Sequence, residues 1–315
     1  MKKKFLITGG AGFIGYSLSK YLIDKKHDVT IFDNFSRQSR KNKDLNKIKF
    51  VRGDVRNQKL LINKSKKIDT IIHAAYINGT KFFYSKPDLI LDVAIKGMIN
   101  VLEACKKNKI KELILISSSE VYQFPPKIPT PEDVPLVVPD VSNARFSYGG
   151  GKLISELLLM HNKIKTLKKF FIIRPHNVYG KNMGKEHVIP ELLIKLKKII
   201  KKNKKTKIKI QGNGLETRAF IYIDDFVNAF DILIKKAKNK NIYHIGSTQE
   251  ISIINLIKKI SNILKLNIKF TKSKRKLGSV QRRCPDISKL KKLGFKNYKF
   301  NYSGLQKTVD WYLKR

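Results

Sequence analysis

The sequence predicts an α/β fold: a doubly wound parallel sheet of the Rossmann type with a smaller C-terminal α/β lobe that receives a substrate. Three observations predict it. Short β-branched or aromatic runs alternate with longer stretches whose apolar residues recur at spacings of three and four, a glycine-rich turn joins the first run to the first such stretch, and an acidic residue closes the second run. Parallel strands need a crossover helix to return the chain, so this alternation reads as a sheet covered by helices.

In order, "KFLIT" from Lys4 is the first strand and "GFIGYSLSKYLIDKK" the first helix. "DVTIFD" from Asp28, "KIKFVRGD" from Lys47 and "DTIIHAA" from Asp69 continue the sheet, and "DLILDVAIKGMINVLEACKKN" is a long helix. "ELILISS" from Glu112 and "KFFIIRP" from Lys169 complete it. The expected division is residues 1–175 for the dinucleotide-binding domain and 176–315 for the substrate lobe, interleaved with the first. In that lobe "HVIPELLIKLKKIIKK", "DDFVNAFDILIKKA" and "GLQKTVDWYLKR" read as helices, and "KIKIQG", "AFIYID" and "IYHIG" as strands. The one long irregular stretch runs from Gln123 to Phe146, a length at which loops usually serve binding.

Composition bounds the partners. The 315 residues include 42% hydrophobic types, ample for a packed core. The net charge of +43 could signal nucleic acid or an anionic membrane, but its lysines are scattered, gathering only modestly between Lys195 and Lys209, and no nucleic-acid motif accompanies them. We read a solvated lysine-rich surface with no dedicated nucleic-acid or membrane partner. Two distant cysteines, Cys105 and Cys284, suggest neither a disulfide framework nor a metal site. With no signal-peptide pattern and no membrane-length apolar run, a cytoplasmic protein is expected.

"TGGAGFIG" places Gly9, Gly12 and Gly15 across the first strand–helix turn, with Phe13 and Ile14 opening the helix. Small residues let the backbone approach a pyrophosphate, which the helix N-terminus then favours. Asp33, followed by Asn34, sits where a carboxylate accepts hydrogen bonds from an adenosine ribose and repels a 2′-phosphate. NAD rather than NADP is therefore expected, although Arg37 and Arg40 follow closely. Asp54 and Val55 in "GDV" would frame the adenine, and Ala74 and Ala75 in "HAA" would let the backbone pass close to the cofactor.

Tyr148 and Lys152 stand four apart in "SYGGGKLISE" and share a face of a helix. A phenol is a poor base at neutral pH, but a neighbouring ammonium favours the phenolate. Tyr148 can then take a proton from a hydroxyl whose carbon gives up hydride, with Ser117, Ser118 or Ser119 of "SSSEVY" holding that hydroxyl. Alone, such a Tyr–Lys pair is ordinary on helices; a dinucleotide fold and a serine cluster at a strand end give it meaning. The three glycines between them cost about 0.8–1.0 kcal/mol each in a helix. We expect them to permit close approach at the site's edge, so that a bulky group at Gly150 impairs activity more than folding.

Together with "RPHNVYG", "TRAFIYIDD" and "RRCPDISK", these motifs make the chain resemble, over essentially its whole length, the extended short-chain dehydrogenase/reductases of the nucleotide-sugar epimerase, dehydratase and decarboxylase group. The resemblance implies Ser118 as catalytic hydroxyl, Tyr148 as base and Lys152 as its partner on the nicotinamide ribose. It implies Pro175 and Val178 beside the nicotinamide, Asn177 at the sugar-nucleotide phosphates, and Arg218 and Arg283 on the diphosphate. His187 and Val188 would lie near the sugar, His187 where the decarboxylases carry an arginine. A homodimer built on the Tyr148 helix is likewise implied. The chain departs from the group's pattern at Gln123, usually Gly, and Ala94, often Asn.

All members of that group oxidise sugar C4 to a ketone. An epimerase needs only Ser, Tyr and Lys; a 4,6-dehydratase needs a further acid/base pair; a decarboxylase needs a uronate. Glu120 would serve either chemistry or a supporting hydrogen bond. The expected activity is an NAD-dependent nucleotide-sugar epimerase with a 4-keto intermediate and tightly bound NAD. The alternatives are a 4,6-dehydratase or uronate decarboxylase, or a non-catalytic binder that kept the fold.

Overall fold

The computed structural model describes residues 2–36, 48–200, 207–274, 278, 280–296 and 300–313. The first half alternates as its periodicity requires: β1 (Lys4–Thr8), α1 (Phe13–Asp24), β2 (Asp28–Asp33), β3 (Lys49–Arg52), α2 (Gln58–Lys64), β4 (Thr70–His73), α3 (Thr80–Ser85), α4 (Pro87–Lys107), β5 (Glu112–Ile116), α5 (Ser147–Met160) and β6 (Lys169–Pro175). There follow β7 (Val178–Tyr179), α6 (Val188–Ile200), β8 (Lys207–Lys209), β9 (Thr217–Ala219), β10 (Ile221–Tyr222), α7 (Ile223–Lys236), β11 (Asn241–Ile245), β12 (Glu250–Ser252), α8 (Ile253–Leu264), β13 (Lys269–Thr271), β14 (Arg282–Arg283), α9 (Ser288–Lys292) and α10 (Tyr302–Leu313). Among the described residues no helix is long and apolar enough to cross a membrane.

Seven strands form one sheet in the order β11-β6-β5-β4-β1-β2-β3. The neighbours from β6 to β3 pair in parallel, with Phe5 opposite both Val29 and Thr70. "IYHIG", expected as a strand of the smaller lobe, supplies the seventh strand of this sheet, with Tyr243 in one compact unit and His244 in the other. The Lys240 N–H donates to the Phe170 carbonyl and the His176 N–H to the Ile245 carbonyl, the same order along both chains, so β11 also runs parallel. Strand order reverses between β1 and β4, which puts the ends of β1, β4 and β5 beside the crevice where such sheets bind ligands.

Strands buried on both faces are continuously apolar, as Phe5, Leu6 and Ile7, all fully buried, illustrate. Against one face pack Val93, Met98, Val101 and Ala104 of α4 and Leu159 of α5, joined to Leu6, Ile71, Leu113, Leu115 and Ile172 of the strands. Each of these side chains larger than alanine contributes roughly 1.5–3 kcal/mol by leaving water. The ends of these strands are thereby rigid platforms.

The chain divides into two compact units: Met1–Gln123, Leu136–Pro175 and Phe230–Tyr243 in one, Phe124–Pro135, His176–Ala229 and His244–Arg315 in the other. The long irregular stretch is thus shared between them. Its early part belongs to the second unit because Thr130 donates to the Cys284 carbonyl and accepts from the Asp286 N–H, while a Glu132 oxygen accepts the His244 N–H. In that unit β9 pairs antiparallel with β12 and parallel with β14, and α8 is capped by the Ser252 hydroxyl, which accepts the Asn255 N–H.

Candidate active site

The glycine turn is crowded rather than loose. Gly9 has φ +68°, a left-handed conformation that side chains disfavour, and a Cβ there would sit 2.6 Å from the Ala75 backbone. A Cβ on Gly15 would meet the Gly9 carbonyl. Gly12 begins α1 with no side-chain cap and no acidic residue in the first turn, so the helix offers its N–H groups and positive dipole end to an anion. Asp33 fastens this turn to the end of β2: its Oδ2 accepts the Ala11 N–H at 3.0 Å and its Oδ1 the Phe35 N–H at 2.7 Å. Burial pushes its carboxyl above the usual range, against those two bonds. Phe13 and Ile14 are half-buried at the head of α1.

Beyond the turn, Asn34 donates to Asp54 at 3.1 Å, Val55 is buried, and Arg56 holds the Asp54 carboxyl down at about 2. Ala74 follows β4, its N–H on the Thr8 carbonyl. The backbone cradle that side chains would fill, the uncapped helix end and the carboxylate at the β2 terminus fit a dinucleotide. Arg37 and Arg40 lie outside the described residues.

At the next edge, Ser117 ends β5 with its N–H on the Ile173 carbonyl at 2.7 Å and its hydroxyl donating to Glu156. Ser118 caps a single 3-10 turn, Ser119–Tyr122, by accepting the Glu120 N–H at 3.1 Å. Tyr148, Lys152 and Glu156 lie along one face of α5 at successive spacings of four. Lys152 donates to the Ile116 carbonyl at 2.5 Å, and Glu156 forms a buried ion pair with Arg174 of β6, also at 2.5 Å. These bonds clamp α5 against the ends of β5 and β6 and bring the Tyr148 helix alongside the serines.

The Tyr148 ring is buried, stacked on Phe83 at 5.0 Å and 15° and edge-on to Tyr76 at 6.4 Å. Lys152 is 2% exposed, and burial pulls its ammonium well below the usual lysine range while Glu156 opposes the shift. Glu120 is ion-paired to Arg145 at 3.0 Å, and the Arg145 guanidinium lies over the Phe83 ring.

The glycine triplet has a packing explanation. A Cβ on Gly149 would lie 2.6 Å from the Glu120 carbonyl oxygen and run into the Gln123 amide, and one on Gly151 would lie 2.8 Å from the Ala94 Cβ of α4. Gly150, expected at the edge of the site, would place a Cβ in ordinary contact with Val138 at 3.5 Å. The close approaches are thus at its neighbours, and Gln123 and Ala94, two departures from the group's pattern, are what the glycines accommodate.

In the second unit Asn177 has φ +42° and donates to the Ala219 carbonyl, and Val178 on β7 faces Ile221. His187 precedes α6, its carbonyl accepting the Glu191 N–H, and Val188 opens that helix exposed. Arg218 on β9 and Arg283 on β14, distant in sequence, are register partners. The Arg218 guanidinium donates to the carbonyls of Thr217, Val280 and Gln281. Pro175 closes β6 and Ser119 is buried in its turn.

Sequence reasoning missed Tyr76, Phe83, Arg145, Glu156 and Arg174. Only Glu156 carried a signal, standing four residues beyond Lys152; the rings and arginines meet the site through tertiary packing.

The family model described as "NAD dependent epimerase/dehydratase family" matches residues 5–246. The dTDP-D-glucose 4,6-dehydratase of Dictyostelium discoideum is 33% identical over 277 residues, 83% of this chain but 62% of that protein, so this chain spans under two thirds of its length. The UDP-N-acetyl-alpha-D-glucosaminuronate decarboxylase of Bacillus cytotoxicus is 30% identical, covering 99% of this chain and 98% of its own. Among solved structures, the UDP-N-acetylglucosamine 4-epimerase from Methanobrevibacter ruminantium M1, in complex with UDP-N-acetylmuramic acid, superposes with a TM-score of 0.86 at 26% identity, covering 100% of this chain and 99% of that one.

Proposed function

The chain belongs to the NAD dependent epimerase/dehydratase family, and from that premise we propose that it is a nucleotide-sugar epimerase that works through a 4-keto intermediate and keeps its NAD. The observation that carries the reading is the alignment of Tyr148 and Lys152 on one buried face of α5, clamped to the Ser117–Ser118 strand end through Ile116, Glu156 and Arg174.

Tyr148 takes the proton of the sugar C4 hydroxyl while Ser118 holds that oxygen. The Lys152 ammonium favours the phenolate and, with one N–H on Ile116, keeps donors for the cofactor's ribose. When bound, NAD supplies the hydride acceptor and later returns the hydride. Gly9, Gly12 and Gly15 admit the pyrophosphate at α1, and Asp33 with Asn34 takes the adenosine ribose; Asp54 and Val55 border the adenine, and Pro175 and Val178 the nicotinamide. Asn177, Arg218 and Arg283 bind the diphosphate, guanidinium forks being suited to it, with His187 and Val188 toward the sugar. The unit carrying these last residues receives the nucleotide sugar.

Epimerisation is favoured over dehydration because Ser119 stands beside Glu120 where a second acid would complete the pair that water loss needs, and Glu120 is taken up by an ion pair with Arg145. We place the enzyme in the cytoplasm as a homodimer through α4 and α5, where Ile99 and Leu157 are exposed apolar residues. Incubation of the protein with UDP-, GDP-, CDP- and dTDP-sugars, followed by NMR, tests the reading. Inversion of a sugar carbon without free NADH supports it; loss of water or carbon dioxide assigns the dehydratase or decarboxylase reaction, and an unchanged panel leaves a binder.

A further inference from the structure

Lys152 poses a problem of charge. The residue is 2% exposed, and no carboxylate lies within ion-pair distance of its ammonium among the described residues: Glu156, one turn along α5, is bonded to Ser117 and Arg174. An isolated ammonium removed from water strongly favours losing its proton, and a neutral amine would do nothing for Tyr148. Something other than a carboxylate must hold the cation.

Among the described residues two groups lie closest to it, with the Tyr148 ring farther off at 5.9 Å. One is the Ile116 carbonyl at 2.5 Å; the other is the face of Tyr76, whose ring centroid is 3.0 Å from Lys152 Nζ. The negative face of an aromatic ring attracts a cation, and more strongly when both are desolvated. Tyr76 is itself fixed, its phenol donating to the Ser155 hydroxyl one turn beyond Gly151 and its ring edge-on to Tyr148. Burial raises the Tyr76 phenol, so the ring meets Lys152 neutral. The other titratable groups around the ammonium are Glu156 and Tyr148 on α5 and His73 on β4. His73 is fully buried, bonded to the Thr8 hydroxyl and held neutral with its imidazole pulled down to about 3, mainly by burial and further by Lys152.

We propose that Tyr76 is a positioning residue for the reaction: its ring face carries the Lys152 ammonium, keeping it charged and aimed so that it acidifies Tyr148. The proposal rests on the assignment of Tyr148 as base, and it makes the residue after "HAA" part of the machinery. Tyr76→Phe keeps the face and loses only the bond to Ser155. Tyr76→Leu keeps bulk and loses the face.

The test is an NMR titration of the full chain carrying lysine labelled with 13C at the ε-carbon, with Lys152→Met identifying the Lys152 signal, beside the pH–rate profile on the nucleotide sugar that turns over. With Tyr76→Leu, Lys152 should titrate about one pH unit lower and the acid limb of the rate profile should move up, costing about tenfold in kcat/KM below it. Tyr76→Phe should leave both within a few tenths of a unit. Placing 3,4,5-trifluorophenylalanine at position 76 keeps the shape but weakens the face, and should act like Tyr76→Leu even if that variant fails to fold. An unmoved Lys152 titration in the leucine and fluorinated variants, or equal shifts in the phenylalanine variant, overturns the proposal. The titration needs no substrate, so a Lys152 shift in a protein that transforms no sugar would sink the epimerase reading and leave the Tyr76 contact standing.

Discussion

Gln123 and Gly149 occupy each other's space: the Gln123 side-chain amide lies where a side chain on Gly149 would begin. Gln123 holds φ +47° and is 2% exposed, and Gly149 directly follows Tyr148 on α5. The space beside α5 is filled from the turn that carries Ser118, not from the helix.

That packing predicts an order among the three glycines. Gly149→Ala must displace Gln123 and also meets the Glu120 carbonyl, so its melting temperature should fall by several degrees. Gly151→Ala should fall too, because Ala94 must give way. Gly150→Ala, which meets only Val138 at ordinary distance, removes a helical-glycine cost of about 1 kcal/mol and should raise it by about 2 °C. Thermal melts of the three variants check the order.

The Glu156–Arg174 pair is almost fully buried, and Arg174 also donates to the Tyr122 hydroxyl. Breaking it from one side strands a charge. Glu156→Gln or Arg174→Met should each cost about 3–5 kcal/mol in denaturant unfolding, and the double substitution less than the sum of the two.

Phe83→Leu keeps an apolar side chain but removes the stack on Tyr148, a contact of the kind worth about 0.5–1.5 kcal/mol beyond its area. Its kcat should fall up to about tenfold with NAD binding retained. Stopped turnover together with lost NAD binding would mark Phe83 as a folding residue.

The Arg56 guanidinium holds the Asp54 carboxyl at about 2, below the usual carboxylate range. A carboxylate depressed on folding contributes stability above its unfolded value, and that contribution disappears as pH falls through the folded one. Stability should therefore decline between about pH 4 and pH 2, and Asp54→Asn should flatten that part of a pH series of thermal melts.

The parallel sheet was legible because its strands are buried on both faces and its helices on one, patterns that local spacing records. The glycine turn, Asp33, and the Tyr148–Lys152 spacing were legible for the same reason: each is a short-range relation. "IYHIG" looks alike in either sheet, and only its pairing with β6 makes it the seventh strand of the large one. Tyr76 and Arg145 were invisible because an aromatic after β4 and an arginine in a loop acquire roles only when they fold against Lys152 and Glu120. The glycine triplet lay between: its cost was readable, while its cause needed the positions of Gln123 and Ala94.

The most direct measurement compares the NAD-loaded protein with its Tyr148→Phe variant on the nucleotide sugar that responds in the NMR panel. The assignment of Tyr148 as base predicts conversion to an equilibrium mixture of epimers with no net NADH, slowed by about 10²–10⁴-fold in the variant, whose fold and NAD content are unchanged. Turnover by Tyr148→Phe at the rate of the unmodified protein would contradict it.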